Sequence, residues 1–482
     1  MEPHAGIGTY QSLHERNAGC KTPGRELGRM GWKKREFGIG SGNRFPVRRR
    51  LVSWMPFCSQ TVERKMEEKD MLMRASRKTL YSAIFLSVSR RLLVALSLLL
   101  LVPAGIHAAD RFTGPWNVGQ LKTVPNHSWG EQRGLVREVY YEGEPYQGKA
   151  TRVFGYFGCP KNAEGRLPGM VLVHGGGGTA FAEWAELWAQ RGYAALAMDL
   201  AGCGPERKRL SDGGPDQSHG EKFHDFKAET VDTMWTYHAV AAVVRGHSLL
   251  ASLKEVDADR IGITGISWGG YLTCIVAGID DRLKVAVPVY GCGFLQENSA
   301  WLGEFEKMTP EMRSRWVEFW DPSRYLPGVS CPILFLNGTN DFAYPLDSYQ
   351  KSYRAVPGPI DLRIEVAMKH SHVHGWEPKE IGLYVDSVLT GGAPLPRLGP
   401  IHVEGNQAHA QVTNNTAVVK GLLHFTSDTG SWKERKWETK EARVAGGAIH
   451  AELPAMRPLV FYVSAIDDRG AMVSAEHVQI GE

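Results

Sequence analysis

At residues 260–271 the chain reads Arg260-Ile261-Gly262-Ile263-Thr264-Gly265-Ile266-Ser267-Trp268-Gly269-Gly270-Tyr271. An apolar, strand-like run leads into a Gly-x-Ser-x-Gly turn, and a helix-like run follows at residues 271–278. This is the context of a nucleophile elbow, a sharp turn that holds a serine hydroxyl above the end of a sheet. Glycines on both sides of the serine let the backbone turn without a Cβ clash. The stretch therefore predicts that Ser267 is a nucleophile facing the positive end of a helix.

Short apolar runs alternate with helix-like segments on both sides of this turn. The strand-like segments are residues 135–141, 150–157, 170–173, 194–199, 260–264, 285–289, 333–336 and 362–366. The helix-like segments are residues 180–190, 229–253, 271–278 and 378–389. Such alternation indicates βαβ units and a mainly parallel sheet with both faces covered. Right-handed crossovers then predict a doubly wound α/β catalytic domain over residues 110–395.

Two insertions interrupt the alternation. Residues 202–225 are polar and rich in turn residues. Residues 295–325 carry Trp301, Phe305, Trp316, Phe319 and Trp320. The second insertion is predicted to be helical and to lie over the carboxyl edge of the sheet. It is read either as a lid or as ordinary aromatic packing.

The pattern changes after residue 396. Strand-like runs at residues 416–425, 448–453, 459–466 and 471–478 are separated by turns, and no helix of any length fits. Residues 400–482 are therefore predicted to form a small β-sandwich of immunoglobulin or fibronectin type. Trp432 and Trp437 are read either as a carbohydrate-stacking patch or as packing against the neighbouring domain.

Composition gives no sign of a nucleic-acid partner. The chain has 482 residues, of which 43% are hydrophobic and 22% are charged, and its formal net charge is only +4. This is the composition of a globular protein with a large core. Much of the basic excess lies early in the chain, in stretches such as Arg48-Arg49-Arg50.

The first 109 residues are predicted to lie outside the folded part. Residues 1–70 lack apolar periodicity and are interpreted as a doubtful or disordered leader that does not contribute to the fold. Residues 71–109 combine basic residues, an apolar run at residues 92–102 and a small-residue site ending in Ala108-Ala109, which is the pattern of a secretory signal peptide. The apolar run is shorter than the about 20 residues that a membrane span needs. Export is the expectation, either secreted or periplasmic, with no stable membrane span after cleavage.

The cysteines predict neither a zinc site nor a definite disulfide. Five of the 7 cysteines lie beyond the signal segment, with wide spacings and no CxxC. Cys274 and Cys331 are expected to be small buried apolar residues.

A serine nucleophile needs a base, and the base needs a third group that orients it. In one known arrangement the chain order is serine, carboxylate, histidine. Asp341 follows the strand-like run 333–336 and precedes a proline, so it is predicted to be the acid. The candidates for the base are His370, His372 and His374, which follow the strand-like run 362–366. Counting from the strand end favours His370, and His372 and His374 remain alternatives.

The oxyanion of acyl transfer needs preorganised backbone donors. The amide of Trp268, directly after the nucleophile, is predicted to be one donor. The loop His174-Gly175-Gly176-Gly177-Gly178 has the HGGG form, and Gly176 is predicted to supply the other. A phosphate-cradling loop is disfavoured because the GxxxxGK[ST] lysine and the GxGxxG spacing are both missing. The alternating histidines also permit a metal site, which is disfavoured because no nearby carboxylate or cysteine completes a ligand set.

In these motifs residues 110–390 resemble bacterial exported hydrolases of the α/β-hydrolase superfamily, of dienelactone-hydrolase-like and acetyl-xylan-esterase-like type. The resemblance rests on the His174 loop, the Ser267 elbow, Asp341 and the His370–His374 stretch. It implies an α/β-hydrolase fold and an exported serine-dependent carboxylic ester hydrolase, acting on a small-molecule or carbohydrate ester, often an acetyl ester. No cofactor and no metal are expected.

The chain departs from these families in two respects. Dienelactone hydrolases proper use cysteine where this chain has Ser267, and no propeller precedes the domain as in prolyl oligopeptidases. The alternatives are a peptidase or amidase of prolyl-oligopeptidase type and an inactive, carbohydrate-binding relative.

Overall fold

The computed structural model describes residues 111–161 and 164–481. The predicted leader and signal peptide, residues 1–70 and 71–109, lie outside the described residues. The residues described all belong to one compact unit, Ala104–Glu482. Within the described ranges, each helix is too short or too polar to cross a membrane.

A nine-stranded sheet forms the centre of the first part of the described chain, residues 111–395. Its strands are β1 (His127–Arg133), β2 (Val136–Glu142), β3 (Arg152–Gly158), β4 (Leu167–Val173), β5 (Ala194–Met198), β6 (Val256–Ile266), β7 (Val285–Val289), β8 (Ile333–Gly338) and β9 (Ile360–Glu365). They lie in the order β1-β2-β3-β5-β4-β6-β7-β8-β9. The pairs from β5 to β9 are parallel, whereas β1, β2 and β3 add an antiparallel edge that ends against β5. The predicted mainly parallel α/β sheet is thus confirmed.

Helices cover both faces of this sheet. The α-helices of the described residues are α1 (Val118–Leu121), α2 (Ala182–Gln190), α3 (His219–Phe223), α4 (Trp235–Ser252), α5 (Trp268–Ile279), α6 (Leu302–Glu306), α7 (Pro310–Trp320), α8 (Leu346–Arg354), α9 (His372–Trp376) and α10 (Lys379–Leu389). In β6, Thr264 borders the groove between α2 and α10, whereas Gly265 faces Thr273 of α5. Successive strand residues point to opposite faces, so α2 and α10 lie on one side of the sheet and α5 lies on the other.

The observed elements differ from the predicted ones mainly at their ends. The predicted helix at residues 229–253 begins only at Trp235, because residues 228–233 form a 3₁₀ turn with Thr230 at a non-helical φ of −125°. The strand β1 was not predicted, since its burial pattern is largely exposed and carries no apolar alternation.

The two insertions pack against each other beside the elbow. Trp316 and Trp320 are completely buried, and the Trp316 ring stacks on Phe223 at 5.4 Å. Trp301 lies 4.5 Å from Trp268, the residue after Ser267. Aromatic packing therefore accounts for the tryptophans of residues 295–325. Of the two cysteines expected to be buried, Cys274 is buried and Cys331 is half-buried.

The C-terminal residues form a second, antiparallel sheet. Its strands are β10 (Leu398–Glu404), β11 (Gln407–Val412), β12 (Val418–Thr426), β13 (Glu438–Ala445), β14 (Ala448–Glu452), β15 (Leu459–Asp467), β16 (Met472–Ser474) and β17 (Val478–Ile480). The strand β13 pairs first with β12 and then, from Arg443 on, with β14, so it runs from one half of the sheet to the other. A strand that changes sheets in this way makes a corner of a β-sandwich. The sandwich-like architecture agrees with the predicted C-terminal fold, and its first strand begins at Leu398.

This second sheet is joined to the first at β9, the edge strand of the nine-stranded sheet. The backbone N–H of Ile364 donates to Ser474 Oγ at 3.0 Å, and Arg397 makes a two-pronged contact with Asp361 at 2.7 and 2.6 Å. Trp432 is only 6% exposed and packs edge-on against His477. Trp432 therefore presents little ring surface for stacking on a sugar, and the ring that it contacts belongs to the same C-terminal region.

Candidate active site

Ser267 lies at the point where β6 ends and α5 begins. Its backbone has φ 60° and ψ −119°, a region that a residue with a side chain rarely adopts. Such a conformation costs about 1–3 kcal/mol and persists only where the surroundings enforce it. One such constraint is the hydrogen bond from the Ser267 N–H to the Val289 carbonyl at 2.8 Å. The sequence-predicted elbow therefore has the backbone conformation that projects a serine side chain from the sheet.

The glycines around Ser267 are required by close backbone contacts. A Cβ at Gly265 would lie 2.2 Å from the Gly269 carbonyl oxygen, and a Cβ at Gly269 would lie 1.9 Å from that of Val173. Gly270 is equally restricted, because its Cβ would lie 2.4 Å from the Val289 carbonyl oxygen. Only glycine fits where α5 passes so close to β4 and β7.

Asp341 and His370 are in direct contact. The His370 Nδ1–H donates to Asp341 Oδ2 at 2.6 Å, and the Asp341 carboxylate is fully buried. The other carboxylate oxygen accepts the N–H groups of Ala343 and Tyr344, at 2.9 and 2.8 Å, which fixes the turn after β8. This arrangement leaves Nε2 of His370 as the ring atom able to accept a proton.

Tyr290 connects this histidine to the elbow. The rings of Tyr290 and His370 stack at 4.4 Å with an interplanar angle of 23°, and the Tyr290 hydroxyl donates to the Lys369 carbonyl at 2.7 Å. Tyr290 directly follows Val289, the residue that accepts the Ser267 N–H. In the described part of the chain, the Ser267 hydroxyl makes no hydrogen bond to His370 or His372. In unliganded sites such catalytic hydrogen bonds are often long and tighten when substrate binds.

His372 has a different role from His370. Its Nε2 accepts the Gly175 N–H at 3.0 Å, so this nitrogen holds no proton. Burial, together with the nearby His174 and His370, lowers the pKa of His372 to about 4. A neutral His372 thus holds the glycine loop close to Ser267, since a Cβ on Gly175 would lie 2.9 Å from Ser267 Cβ and 3.3 Å from His372 Nε2.

His174 fixes the same loop from the other side. Its Nδ1–H donates to the Gly175 carbonyl at 2.8 Å, and its Nε2 accepts the Leu200 N–H at 2.9 Å. Burial lowers the pKa of His174 to about 4, which keeps the ring neutral in this pair of hydrogen bonds. Two neutral imidazoles therefore clamp the glycine loop.

The two predicted oxyanion donors are neighbours. Trp268 is the first residue of α5, so its N–H has no acceptor within the helix. A Cβ at Gly176 would lie 2.9 Å from Cδ1 of Trp268. The clamped glycine loop thus packs against Trp268, the first residue of α5, beside Ser267. Backbone amides in this position can hold an oxyanion.

His374 is not part of this arrangement. Its Nδ1 lies 2.7 Å from Ser371 Oγ. Because α9 begins at His372, the three histidines do not alternate along a strand and do not share a face. No group of three or more histidine, cysteine, aspartate or glutamate side chains in residues 111–161 and 164–481 is placed to hold a metal ion.

Sequence reasoning missed several residues that shape the site. Tyr290, Phe342 and Lys222 carry no motif, and only their position at strand ends or in an insertion pointed to the site. Lys222 is almost fully buried, with its ammonium 4.7 Å from the Trp235 ring and 5.1 Å from the Trp268 ring. Its ammonium donates to the Gln217 carbonyl, and burial lowers its pKa to about 8. Lys222 thereby ties the first insertion to the residue after the nucleophile.

Two family models match parts of the chain. The acetyl xylan esterase model matches residues 131–307, and that of the PhoPQ-activated pathogenicity-related proteins matches residues 304–433. Acetyl esterase Axe7A of Xylanibacter ruminicola is 24% identical over 238 residues, which cover 45% of this chain and 52% of that protein. Uncharacterized peptidase YuxL of Bacillus subtilis is 26% identical over 245 residues, which cover 46% of this chain and 33% of that protein.

The matches to these two curated relatives thus span 52% and 33% of their length. Among solved structures, the acetyl xylan esterase from Paenibacillus sp. R4 is 22% identical with a TM-score of 0.47, over 57% of this chain and 92% of that one. The part of the chain that carries the elbow, residues 131–307, is thus similar to acetyl xylan esterases.

Proposed function

We propose that this chain is an exported serine hydrolase that cleaves carboxylic esters, acetyl esters of carbohydrates among them, through an acyl-enzyme. The observation that carries the proposal is the 2.6 Å contact between His370 and Asp341, held beside the strained elbow of Ser267 by Tyr290. The match of residues 131–307 to acetyl xylan esterases supports the ester class.

In the proposed reaction each of these groups has a defined role. His370 Nε2 takes the proton of the Ser267 hydroxyl as its oxygen attacks the acyl carbon, and Asp341 keeps the ring oriented and stabilises its charged form. The amides of Trp268 and Gly176 stabilise the negative charge on the carbonyl oxygen. His370 then gives the proton to the leaving alcohol, and water releases the acyl group by the same steps in reverse. These steps need no cofactor.

Covalent labelling tests the nucleophile. We expect a fluorophosphonate probe to label the purified protein and p-nitrophenyl acetate to be hydrolysed, whereas Ser267→Ala should do neither while remaining folded. Folded wild-type protein that takes up no label would contradict the proposal and favour a binding role.

A peptidase is the second candidate, because a peptidase, YuxL, is among the matching relatives. Chromogenic peptides assayed beside the acetate ester separate the two. Turnover of peptides without turnover of esters would replace the ester assignment. A signal-peptide cleavage site at Ala108 or Ala109, found by N-terminal sequencing of protein from the culture medium or periplasm, would establish export.

A further inference from the structure

Lys222 is a buried cation without an acidic partner. The buried lysine and arginine residues of the described chain are Lys222, Arg245 and Arg363. Both arginines form ion pairs with glutamate side chains. The Lys222 ammonium instead donates to the backbone carbonyl of Gln217 and forms no ion pair within residues 111–161 and 164–481. Burying an unpaired charge is unfavourable, so the position of Lys222 indicates a use for the charge itself.

The Trp268 indole connects this charge to the proposed oxyanion site. The Lys222 ammonium lies 5.1 Å from the centroid of the Trp268 ring, within the range of a cation–π interaction. A Cβ on Gly176 would lie 2.9 Å from Cδ1 of the same indole. One ring thus packs beside both the ammonium and the glycine loop, and the residue that carries this ring also supplies one of the two proposed amide donors.

The charge of Lys222 also acts on the glycine loop through space. His174 is the first residue of this loop, and its ring donates to the Gly175 carbonyl. Burial lowers the pKa of His174 to about 4, and the charges of Arg207 and Lys222 add to this effect. The side chains of Lys222, Trp268 and His174 are all buried, so water screens the field between them far less than at the surface. A positive field from Lys222 therefore reaches the loop that carries Gly176.

We propose that Lys222 is a positioning residue of the oxyanion site, whose ammonium holds the Trp268 ring and stabilises the negative charge that develops on the carbonyl oxygen during acyl transfer. The inference rests on the proposed function and adds a charged group to the two amides. The ester carbonyl is neutral before the attack by Ser267, so the charge of Lys222 interacts more strongly with the transition state than with the bound substrate. Such an interaction raises kcat and leaves KM unchanged.

Two substitutions separate the charge of Lys222 from its packing. Lys222→Met retains an unbranched chain without the charge, and Lys222→Arg retains the charge. We expect Lys222→Met to lower kcat for p-nitrophenyl acetate about tenfold with KM unchanged, less than the roughly 10²–10³-fold that the loss of a direct oxyanion donor costs. Lys222→Arg should restore most of kcat. Lys227→Met, which removes an exposed lysine of the adjoining segment, is the matched control and should leave kcat unchanged.

The Tm distinguishes this electrostatic role from a structural one. Methionine in place of a buried, unpaired ammonium removes the cost of desolvating the charge, so Lys222→Met should unfold at the wild-type temperature or above it. We therefore expect kcat to fall while the Tm does not. A Tm that falls together with kcat would overturn the electrostatic role and leave Lys222 as a structural tie between the first insertion and Trp268.

A boronic acid probes the negative charge directly. When ethylboronic acid binds, the Ser267 oxygen adds to boron, the hydroxyl proton passes to His370, and the tetrahedral adduct carries the negative charge. We expect Lys222→Met to raise the inhibition constant of this acid about tenfold, which corresponds to about 1.4 kcal/mol. An unchanged inhibition constant would overturn the role of Lys222. Wild-type protein that neither hydrolyses the ester nor binds the boronic acid would instead overturn the proposed function.

Discussion

Two imidazoles two residues apart have opposite hydrogen-bonding roles at this site. His370 donates through Nδ1 to Asp341, whereas His372 accepts through Nε2 from the Gly175 N–H. The sequence ranked His370 first by loop length alone and left His372 and His374 open. It could not separate them, because the difference arises from the start of α9 at His372 and from a glycine loop about two hundred residues away.

Replacing His370 should therefore affect the reaction more than replacing either neighbour. We expect His370→Ala to lower kcat by about 10²–10⁴-fold, the usual contribution of a general base. Steady-state hydrolysis of p-nitrophenyl acetate measures the change, with His374→Ala as the control because that ring contacts Ser371 instead. A loss in His374→Ala as large as that in His370→Ala would contradict this assignment of roles.

At the scale of elements, the elbow was predictable from sequence because its glycines stand where no larger residue fits. A Cβ at Gly265 or at Gly269, the glycines on either side of Ser267, would lie less than 2.5 Å from a backbone oxygen. The strands β1, β10, β11 and β13 were missed for the converse reason. β13 is exposed along most of its length, so neither of its faces carries the apolar alternation from which strands are read.

One substitution tests the close contact between α5 and the end of β4. Gly269→Ala would place a methyl group 1.9 Å from the Val173 carbonyl oxygen, so either α5 or β4 must move. We expect a loss of more than about 3 kcal/mol in unfolding free energy, or insoluble protein, since overpacking against rigid backbone exceeds the usual cost. Chemical denaturation measures it.

Gly303→Ala is the matched control for this substitution. Gly303 lies inside α6 with nothing within 4 Å of an added Cβ, so alanine should be neutral or stabilising there. If Gly269→Ala unfolded at the same denaturant concentration as Gly303→Ala, the close contact would be refuted.

At the scale of the whole molecule, the C-terminal sheet contacts the turn that carries Asp341, the proposed acid. Its loop of residues 432–435 receives three hydrogen bonds from Asn340, the residue before the acid. The sequence indicated a β-sandwich but not where it would attach. No local pattern encodes the contact, because Asn340 and its partners are more than ninety residues apart.

Removing this contact should affect both stability and activity. We expect Asn340→Ala to lower the unfolding free energy by about 1–2 kcal/mol, since backbone carbonyl groups lose their donor, and to lower kcat because Asp341 follows directly. Thermal unfolding and ester hydrolysis measure the two effects. Asn406→Ala, on an exposed turn of the C-terminal sheet, is the control and should change neither. An unaltered kcat in Asn340→Ala would show that this contact of the C-terminal sheet does not affect catalysis.

Acidification should destabilise the protein through its buried histidines. Burial lowers the pKa of His174, His372, His424 and His477 from 6.5 to about 4. Between these values the unfolded chain binds more protons than the folded one, so stability falls as pH falls from about 6.5 to about 4. Asp199 opposes this in part, because burial raises its pKa to about 6.

Thermal unfolding between pH 7.5 and pH 4.5 checks this sign. We expect the Tm to fall steadily below pH 6.5, and to fall less steeply in His424→Phe, which removes one of the four rings far from the elbow. His424 stacks on Tyr462 at 4.6 Å, so phenylalanine retains the packing. A Tm that rises on acidification would mean that the buried carboxyl groups dominate.

The contact between Asn340 and the loop of residues 432–435 also bears on how such chains can be recombined. A chimaera that exchanges the C-terminal sheet between homologues would also replace the loop that holds Asn340, the residue before Asp341. The catalytic efficiency of the chimaera would then depend on whether the incoming loop places backbone carbonyl groups within reach of Asn340. The two parts of the chain are therefore best exchanged together.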